Sequence, residues 1–381
     1  MGASAERLEG QDAVKCSRLA IIGTGLIGAS VGLAAKRAGV PRVVGFDPSD
    51  DALRIASERG AVDVAAGSVA EAVKGAELIV VAAPVADLPV RVQEALEAAD
   101  GACAVTDVGS TKVSVCAAAG DDNRFIGGHP VCGSEAHGPE FARADLFEGA
   151  TWFLTPHAGT DPNCYRVLHT FVSSLGAYPV AIDAEAHDRL VALTSHLPHA
   201  LSNVLVNQAG SSRIEGHEPL VSAGGALRDM ARVAGANPRI WIDIFLENAS
   251  ALRSALAEHR RLVEQLEGAL ETGDAGFLAR WIAEAGRHHR RLLADAYPNV
   301  GGLYRLRVHV PDRPGVLAGI TQALGAERIN IEDLEMQHLS PDRGGSLTIV
   351  VCGEEEVRRA AELLEAQGYG VDVSDILEGG V

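Results

Sequence analysis

Short apolar runs alternate with stretches of helical periodicity through the first half of the chain. Residues 18–22 form one such run, uninterruptedly apolar after Arg18, which predicts a strand buried on both faces. Similar runs recur at 42–46, 78–83 and 103–106, and later at 151–154 and 177–182. Helical patterns lie between them at 26–38, closed by Gly39, and at 52–59, 69–74, 86–98 and 162–175. This alternation predicts an α/β, doubly wound first domain over residues 17–182. Over 184–296 the strand signals vanish. Leu and Ala recur at i, i+3 and i+4, with breaks at Gly216, Gly224-Gly225, Asn237-Pro238 and Gly273, so an all-helical domain is expected over 183–297. After Gly301-Gly302 the pattern changes again. Residues 303–310 alternate like a strand, a helix runs to 324, strands follow at 330–339 and 346–351, then a helix at 354–367 and a last strand at 371–376. That βαββαβ order over 301–381 predicts an antiparallel sheet with two helices on one face, a small α+β domain. Residues 1–16 are polar and read as a flexible tail.

Composition narrows the classes. The 381 residues are too many for one ordinary core, and 47% of them are hydrophobic. A formal net charge of −18 opposes a nucleic-acid surface. No apolar run approaches the ~20 residues of a membrane span. Six cysteines contain no C-x-x-C pair, so neither a zinc site nor a disulfide framework is expected, and a reducing, cytoplasmic setting fits.

The chemistry begins where the first apolar run meets Gly23-Thr24-Gly25-Leu26-Ile27-Gly28. Strand, glycine loop, helix, strand and then Asp47 form the order of a dinucleotide site. The glycines serve a tight turn, a close approach to pyrophosphate, and the packing of helix on strand. The helix start offers free N–H groups to phosphate. A carboxylate at position 47 suits ribose hydroxyls and repels a 2′-phosphate, which favours NAD over NADP. Ligands of such sheets lie at the strands' carboxyl ends, so Ala83 and Pro84 belong beside the cofactor. So does the segment Asp107-Val108-Gly109-Ser110. A further apolar stretch, Arg124-Phe125-Ile126, leads to Gly127-Gly128-His129-Pro130-Val131-Cys132-Gly133-Ser134-Glu135. His129 there is a candidate proton acceptor, since an imidazole titrates near neutrality. Ser110 is expected to meet it over the nicotinamide. The plainer alternative is a structural histidine among glycines. Cys132 close by invites a Cys/His nucleophile, but no acyl-transfer signature surrounds it.

In the helical region, Ser195-His196-Leu197-Pro198-His199 interrupts an apolar pattern. Pro198 should kink the helix, and His196 and His199 share one face. His187 is ~18 Å from His199 on one straight helix, too far for both to grip one small molecule. Arg228-Asp229, Arg232 and Trp241 follow. An arginine suits a carboxylate, although a solvated helix face explains these charges as simply. The His288-His289-Arg290-Arg291 run lacks metal-ligand spacing and reads as a solvated helix end.

Taken together, these motifs resemble the prephenate/arogenate dehydrogenase family over residues 18–296, and the tail resembles an ACT domain. The match rests on the glycine loop, Asp107-Val108-Gly109-Ser110-Thr111-Lys112, Gly128-His129-Pro130 with Gly133-Ser134-Glu135, and Ser195-His196-Leu197-Pro198-His199. It continues through Gly224-Gly225-Ala226-Leu227-Arg228-Asp229 and Trp241-Ile242-Asp243-Ile244 with Asn248. The resemblance implies a Rossmann-type NAD domain, His129 as catalytic base, and Ser110 orienting His129 or the substrate hydroxyl. It implies Arg232 on a substrate carboxylate and His199 on the substrate. Glu135, Asp188, Trp241, Gly225 and His187 complete the expected substrate shell. In the tail it implies an amino-acid effector, tyrosine first, held by Asp312-Arg313-Pro314-Gly315 and Asn330. A homodimer is also implied. Three rivals stay open: arogenate as substrate, another NAD-dependent dehydrogenase such as a 2-hydroxyacid enzyme, and a non-catalytic amino-acid sensor.

Overall fold

The computed structural model describes residues 16–132, 136–296, 302–340 and 344–376. It divides into two compact units, 1–261 and 262–381.

In the first unit the order runs β1 (Arg18–Ile22), α1 (Leu26–Arg37), β2 (Arg42–Phe46), α2 (Asp50–Glu58), β3 (Val64–Ala65), α3 (Val69–Val73), β4 (Leu78–Val81), α4 (Leu88–Ala98) and β5 (Ala104–Asp107). These five strands make a parallel sheet in the order β3-β2-β1-β4-β5. Two clusters of buried side chains cover its faces. One includes Leu19, Ile21, Leu78 and Val80, the other Ala20, Ile22, Ile79 and Val81. Successive strand residues thus enter opposite cores, the reason the runs are continuously apolar. Strand β3 has no counterpart in the sequence reading. Two residues pairing with Val44 and Gly45 are too short to leave a pattern.

Next come α5 (Val113–Ala119), β6 (Gly127–Pro130), β7 (Thr151–Thr155), α6 (Pro162–Ser174) and β8 (Tyr178–Ala181). Strand β6 is antiparallel to β7, which is parallel to β8. A bridge between Val105 and Phe125 ties the chain entering β6 to β5. His129 therefore stands within a strand, opposite Phe153, rather than after one.

Helix α7 (Ala184–Val191) continues through a π-helical turn, Ala192–His196, into α8 (Leu197–Ser211). The expected kink at Pro198 is absorbed as this turn. Proline has no N–H for the Thr194 carbonyl, and the ladder slips so that the Leu197 N–H bonds to Ala192 O. The extra residue brings His196 beneath Asp188, roughly two turns on along one face. Helices α9 (Gly225–Ala231) and α10 (Pro238–Glu247) follow, then α11 (Ala249–Thr272), within which the first unit ends, and α12 (Ala275–Ala296), which belongs to the second unit.

In the second unit, β9 (Leu303–Val310), α13 (Val316–Ala326), β10 (Asp333–Ser340), β11 (Gly344–Cys352), α14 (Glu354–Ala366) and β12 (Gly370–Asp375) build an antiparallel sheet, order β10-β11-β9-β12. Leu306, Val308, Ile349 and Val351 on its inner face pack with Ile320 and Leu324 of α13 and Leu364 of α14. Among the described residues, no helix is long and apolar enough to cross a membrane.

Candidate active site

Each glycine of the loop after β1 has a different reason to be glycine. Gly23 has φ +95°, and a β-carbon there would lie 2.4 Å from the Ala82 carbonyl oxygen. One at Gly28 would lie 1.9 Å from the Gly23 carbonyl oxygen, so α1 packs directly on the turn. A β-carbon at Gly25 would meet nothing within 4 Å. That open space lies at the cap of α1, where the backbone N–H groups of the first helical turn have no helical acceptor. Asp47 closes the loop: its carboxylate accepts from the Thr24 N–H at 2.6 Å and the Ser49 N–H at 2.8 Å. Ala83 and Pro84 leave β4 beside this turn, where the Ala82 N–H bonds to Ile22 O at 2.6 Å. The donor set and the open space beside Gly25 fit a dinucleotide's pyrophosphate and ribose.

The two glycines before His129 do the opposite. A β-carbon at Gly128 would lie 2.5 Å from the Asp107 carbonyl oxygen and 2.7 Å from Thr106 Oγ1, and one at Gly127 would lie 2.4 Å from Thr155 Oγ1. The object these glycines approach is the protein itself. Beneath them Lys112 and Asp107 form a fully buried ion pair. The Lys112 ammonium also donates to the Gly128 carbonyl at 2.7 Å, and Asp107 accepts from the Gly128 N–H at 3.1 Å and the Gly109 N–H at 2.8 Å.

A hydrogen-bonded chain runs behind His129. The Asp188 carboxylate accepts the N–H groups of Lys112 (2.7 Å) and Val113 (2.9 Å) at the start of α5, so it is an acceptor only. His187 Nδ1 is 2.8 Å from Asp188 Oδ1 and must carry the proton donated to it. His187 Nε2 is then a bare acceptor. It lies 2.9 Å from His129 Nδ1, which must therefore donate. The network leaves His129 Nε2 unprotonated, with no partner among the described residues. Burial first, then His187, Lys112 and His196, hold His129 well below the ordinary histidine range. Asn248 ties the chain to the helices. Its amide donates to Asp188 O at 2.8 Å and to His196 Nδ1 at 3.1 Å. Burial pushes His196 down to about 4, against the pull of Asp188.

Two expectations change here. His187 and Asp188, counted with the substrate shell, are buried behind His129 with both ring nitrogens and both carboxylate oxygens engaged. Ser110 is expected to orient His129 or the substrate hydroxyl; His187 holds His129 Nδ1, which leaves Ser110 the hydroxyl. The Ser110 hydroxyl is buried and has no partner among the described residues, which suits a group waiting for a ligand. His199 bonds through Nδ1 to Ser195 O at 2.9 Å and stacks on Trp241 with ring centroids 3.6 Å apart. His196 meets the same indole edge-on at 6.1 Å, so the two histidines do share a face. Gly225 opens α9 and Arg232 caps its end, exposed, its guanidinium unpaired among the described residues. Glu135 lies outside the described residues. Burial pushes the Cys132 thiol up to about 11, which opposes a thiolate nucleophile. In the second unit, Asp312, Arg313, Pro314 and Gly315 form an exposed turn before α13, with Gly315 at φ +90°. Asn330, expected on a strand, stands in the loop before β10, where its amide donates to Glu332 at 2.7 Å.

Sequence reasoning passed over the side chain of Lys112, which shows only as one polar residue after a glycine turn. It weighed His187 by its distance from His199, although the adjacent His187-Asp188 pair was a local signal for an oriented imidazole.

A parallel sheet with a dinucleotide cradle, joined to helices that back a neutral histidine, defines a nucleotide-dependent dehydrogenase. Comparison with known proteins is in accord. Residues 31–180 match the family model of the prephenate dehydrogenase nucleotide-binding domain, 183–284 its dimerization domain, and 304–368 the ACT domain. Prephenate dehydrogenase of Bacillus subtilis (strain 168) is 34% identical over 355 residues, 91% of this chain and 95% of that protein. The crystal structure of Synechocystis arogenate dehydrogenase has a TM-score of 0.67 at 27% identity, covering 72% of this chain and 99% of that one. That of prephenate dehydrogenase from A. aeolicus, in complex with hydroxyphenyl propionate and NAD+, scores 0.68 at 26% identity, covering 72% and 98%. The chain belongs to the prephenate dehydrogenase family.

Proposed function

We propose that this protein carries out the NAD-dependent oxidative decarboxylation of prephenate to 4-hydroxyphenylpyruvate, a step of tyrosine biosynthesis. The observation that carries the reading is the Asp188–His187–His129 chain, which presents an unprotonated Nε2. Prephenate bears a hydroxyl on the ring carbon that gives up hydride, and its ring carboxylate leaves as CO2 as the ring becomes aromatic. Bound NAD supplies the hydride acceptor. Leu26 and Ile27 N–H groups hold its pyrophosphate, Asp47 its ribose hydroxyls, and Ala83-Pro84 flank it, so NAD is preferred to NADP. His129 Nε2 takes the hydroxyl proton, while the unpaired Ser110 hydroxyl aligns that oxygen. Arg232 grips a substrate carboxylate with its planar fork, and the stacked His199 offers its free Nε2 to the substrate. Gly225 and Trp241 belong to the same cleft, as does Glu135.

Arogenate carries an amino group in place of the keto group and demands the same chemistry. The likeness to an arogenate dehydrogenase structure keeps it as the second substrate to test. His129→Asn should lower kcat by ~10²–10⁴ with NAD affinity retained, the usual worth of a positioned base. Steady-state assays with NAD and either substrate in parallel check both points. Near wild-type kcat in the variant would remove His129 from the role.

The dimerization-domain match and exposed Leu193, Val204, Met230 and Leu246 on the helices support a homodimer. Six free cysteines suit a cytoplasmic setting. The ACT unit is the site of an amino-acid effector, tyrosine first, at residues 312–315 and Asn330. Truncation after residue 296 should abolish tyrosine inhibition and spare kcat. Equal inhibition of both forms would place tyrosine in the active site instead.

A further inference from the structure

A buried ion pair needs a reason. Desolvating two charges costs about as much as their attraction returns, and well-packed apolar residues of similar volume often serve stability as well or better. Asp107 at the end of β5 and Lys112 just before α5 are nevertheless fully buried. Their bonds lead in two directions. Through its ammonium, Lys112 holds the Gly128 carbonyl, the peptide immediately before His129. Through its main-chain N–H, the same residue holds Asp188, the far end of the chain that sets the His129 tautomer. Asp107 completes the clamp by accepting the Gly128 N–H. The tight fit of Gly128 against Thr106 and Asp107 is what brings the strand within reach.

We infer that Lys112 is a positioning residue for His129, fixing in one side chain and one peptide both the strand that carries the base and the relay that orients it. This rests on the reading of His129 as base. The groups facing His129 are His187 and Asp188 from α7, Asp107 from the end of β5, Lys112 from the β5–α5 loop, and His196 from the π-helical turn. Among them Lys112 is the group ion-paired to Asp107, and its charge favours the neutral imidazole. A filler lysine, by contrast, affects only folding.

The test compares Lys112→Met, Asp107→Asn/Lys112→Met and His129→Asn in the full-length protein, with NAD and prephenate. Lys112→Met should lower kcat by ~10²-fold, the effect of a misplacement near 1 Å, with KM for NAD unchanged. Its acid limb in kcat/KM should move to higher pH, because the cation that opposed protonation is gone. Asp107 is left buried and unpaired in that variant, and folding itself can fail. The double variant then decides: it leaves no unpaired charge where the ion pair was, its amide oxygen accepts from one of the Gly109 and Gly128 N–H groups in place of two carboxylate oxygens, and the grip on the Gly128 carbonyl is lost. It should fold, bind NAD normally, lose at least ~10-fold in kcat, and shift its acid limb less than the single variant. Wild-type kcat and pH profile in either folded variant overturns the inference. If His129→Asn is itself active, the base assignment fails instead. If His129→Asn is inactive while the Lys112 variants are normal, only the role of Lys112 fails.

Discussion

Two glycine-rich segments of this chain read alike in sequence and are opposites in space. At Gly25 the missing side chain leaves room: an added β-carbon would touch nothing within 4 Å, beside free N–H groups. At Gly127 and Gly128 the missing side chains leave none, since added β-carbons would lie 2.4 Å from Thr155 Oγ1 and 2.5 Å from Asp107 O. One segment is shaped for a ligand, the other is pressed on a buried ion pair to locate His129. A glycine near a functional residue can therefore mean accommodation or its reverse, and only the neighbour's identity separates them.

Substitution should separate them as well. Gly128→Ala places a methyl against a backbone oxygen that has nowhere to go. The strand must shift, and we expect a kcat loss of ~10²-fold together with ~1–3 kcal/mol of stability. Gly25→Ala should melt like the wild type, because its φ of −66° suits alanine and the space is open. Its KM for NAD should rise by ~10-fold, a loss of ~1.4 kcal/mol in cofactor contact. Thermal melts and NAD titrations of the two variants check both. A Gly128→Ala protein with normal kcat, or a Gly25→Ala protein with normal NAD affinity, breaks the contrast.

The same contrast explains what was legible in the sequence. The cradle is local: strand, loop, helix and Asp47 lie within about thirty residues, and backbone geometry dictates their spacing. The runs of β1, β2, β4 and β5 were legible because each enters two cores. The surroundings of His129 are not local. His187 is 58 residues away and Asp188 is 76 from Lys112, so no periodic pattern joins them. Lys112 presents as an ordinary charge until the fold buries it. The π-helical turn was foreshadowed by Pro198, but a missing N–H does not say whether a helix will bend or slip its ladder. The last helices were bounded correctly at glycines and Asn237-Pro238, whereas the stop at Asn248 between α10 and α11 has no breaker to announce it.

A smaller effect is expected at Asp47, which belongs to the open segment but is anchored like the closed one. Its carboxylate holds the Thr24 N–H, so Asp47→Ser should raise KM for NAD several-fold through the loosened loop. The NAD/NADP ratio of kcat/KM should also narrow, as repulsion of the 2′-phosphate is removed. An unchanged ratio in the variant would show that the carboxylate serves the loop alone.

The last effect concerns pH and sharpens the account of the closed region. His196 sits against Trp241 with Nδ1 accepting from Asn248, an arrangement that requires the neutral ring. Its pKa falls from 6.5 to about 4, chiefly through burial. The unfolded chain therefore binds a proton below pH 6.5 that the folded chain refuses until about 4. Stability from this group is complete above pH 6.5, declines as the pH falls through that window, and changes no further below about 4. At pH 5 the loss is ~2 kcal/mol. In His196→Gln the side-chain oxygen can still accept from Asn248, and nothing at that position titrates. The variant should be less stable than the wild type at pH 7.5, where the Trp241 contact is lost, yet should fall less steeply between pH 7 and 5. Urea unfolding at the two pH values measures the difference of slopes. Equal slopes would mean that His196 takes up its proton in the folded protein, and that the Asn248 link to Asp188 does not hold it neutral.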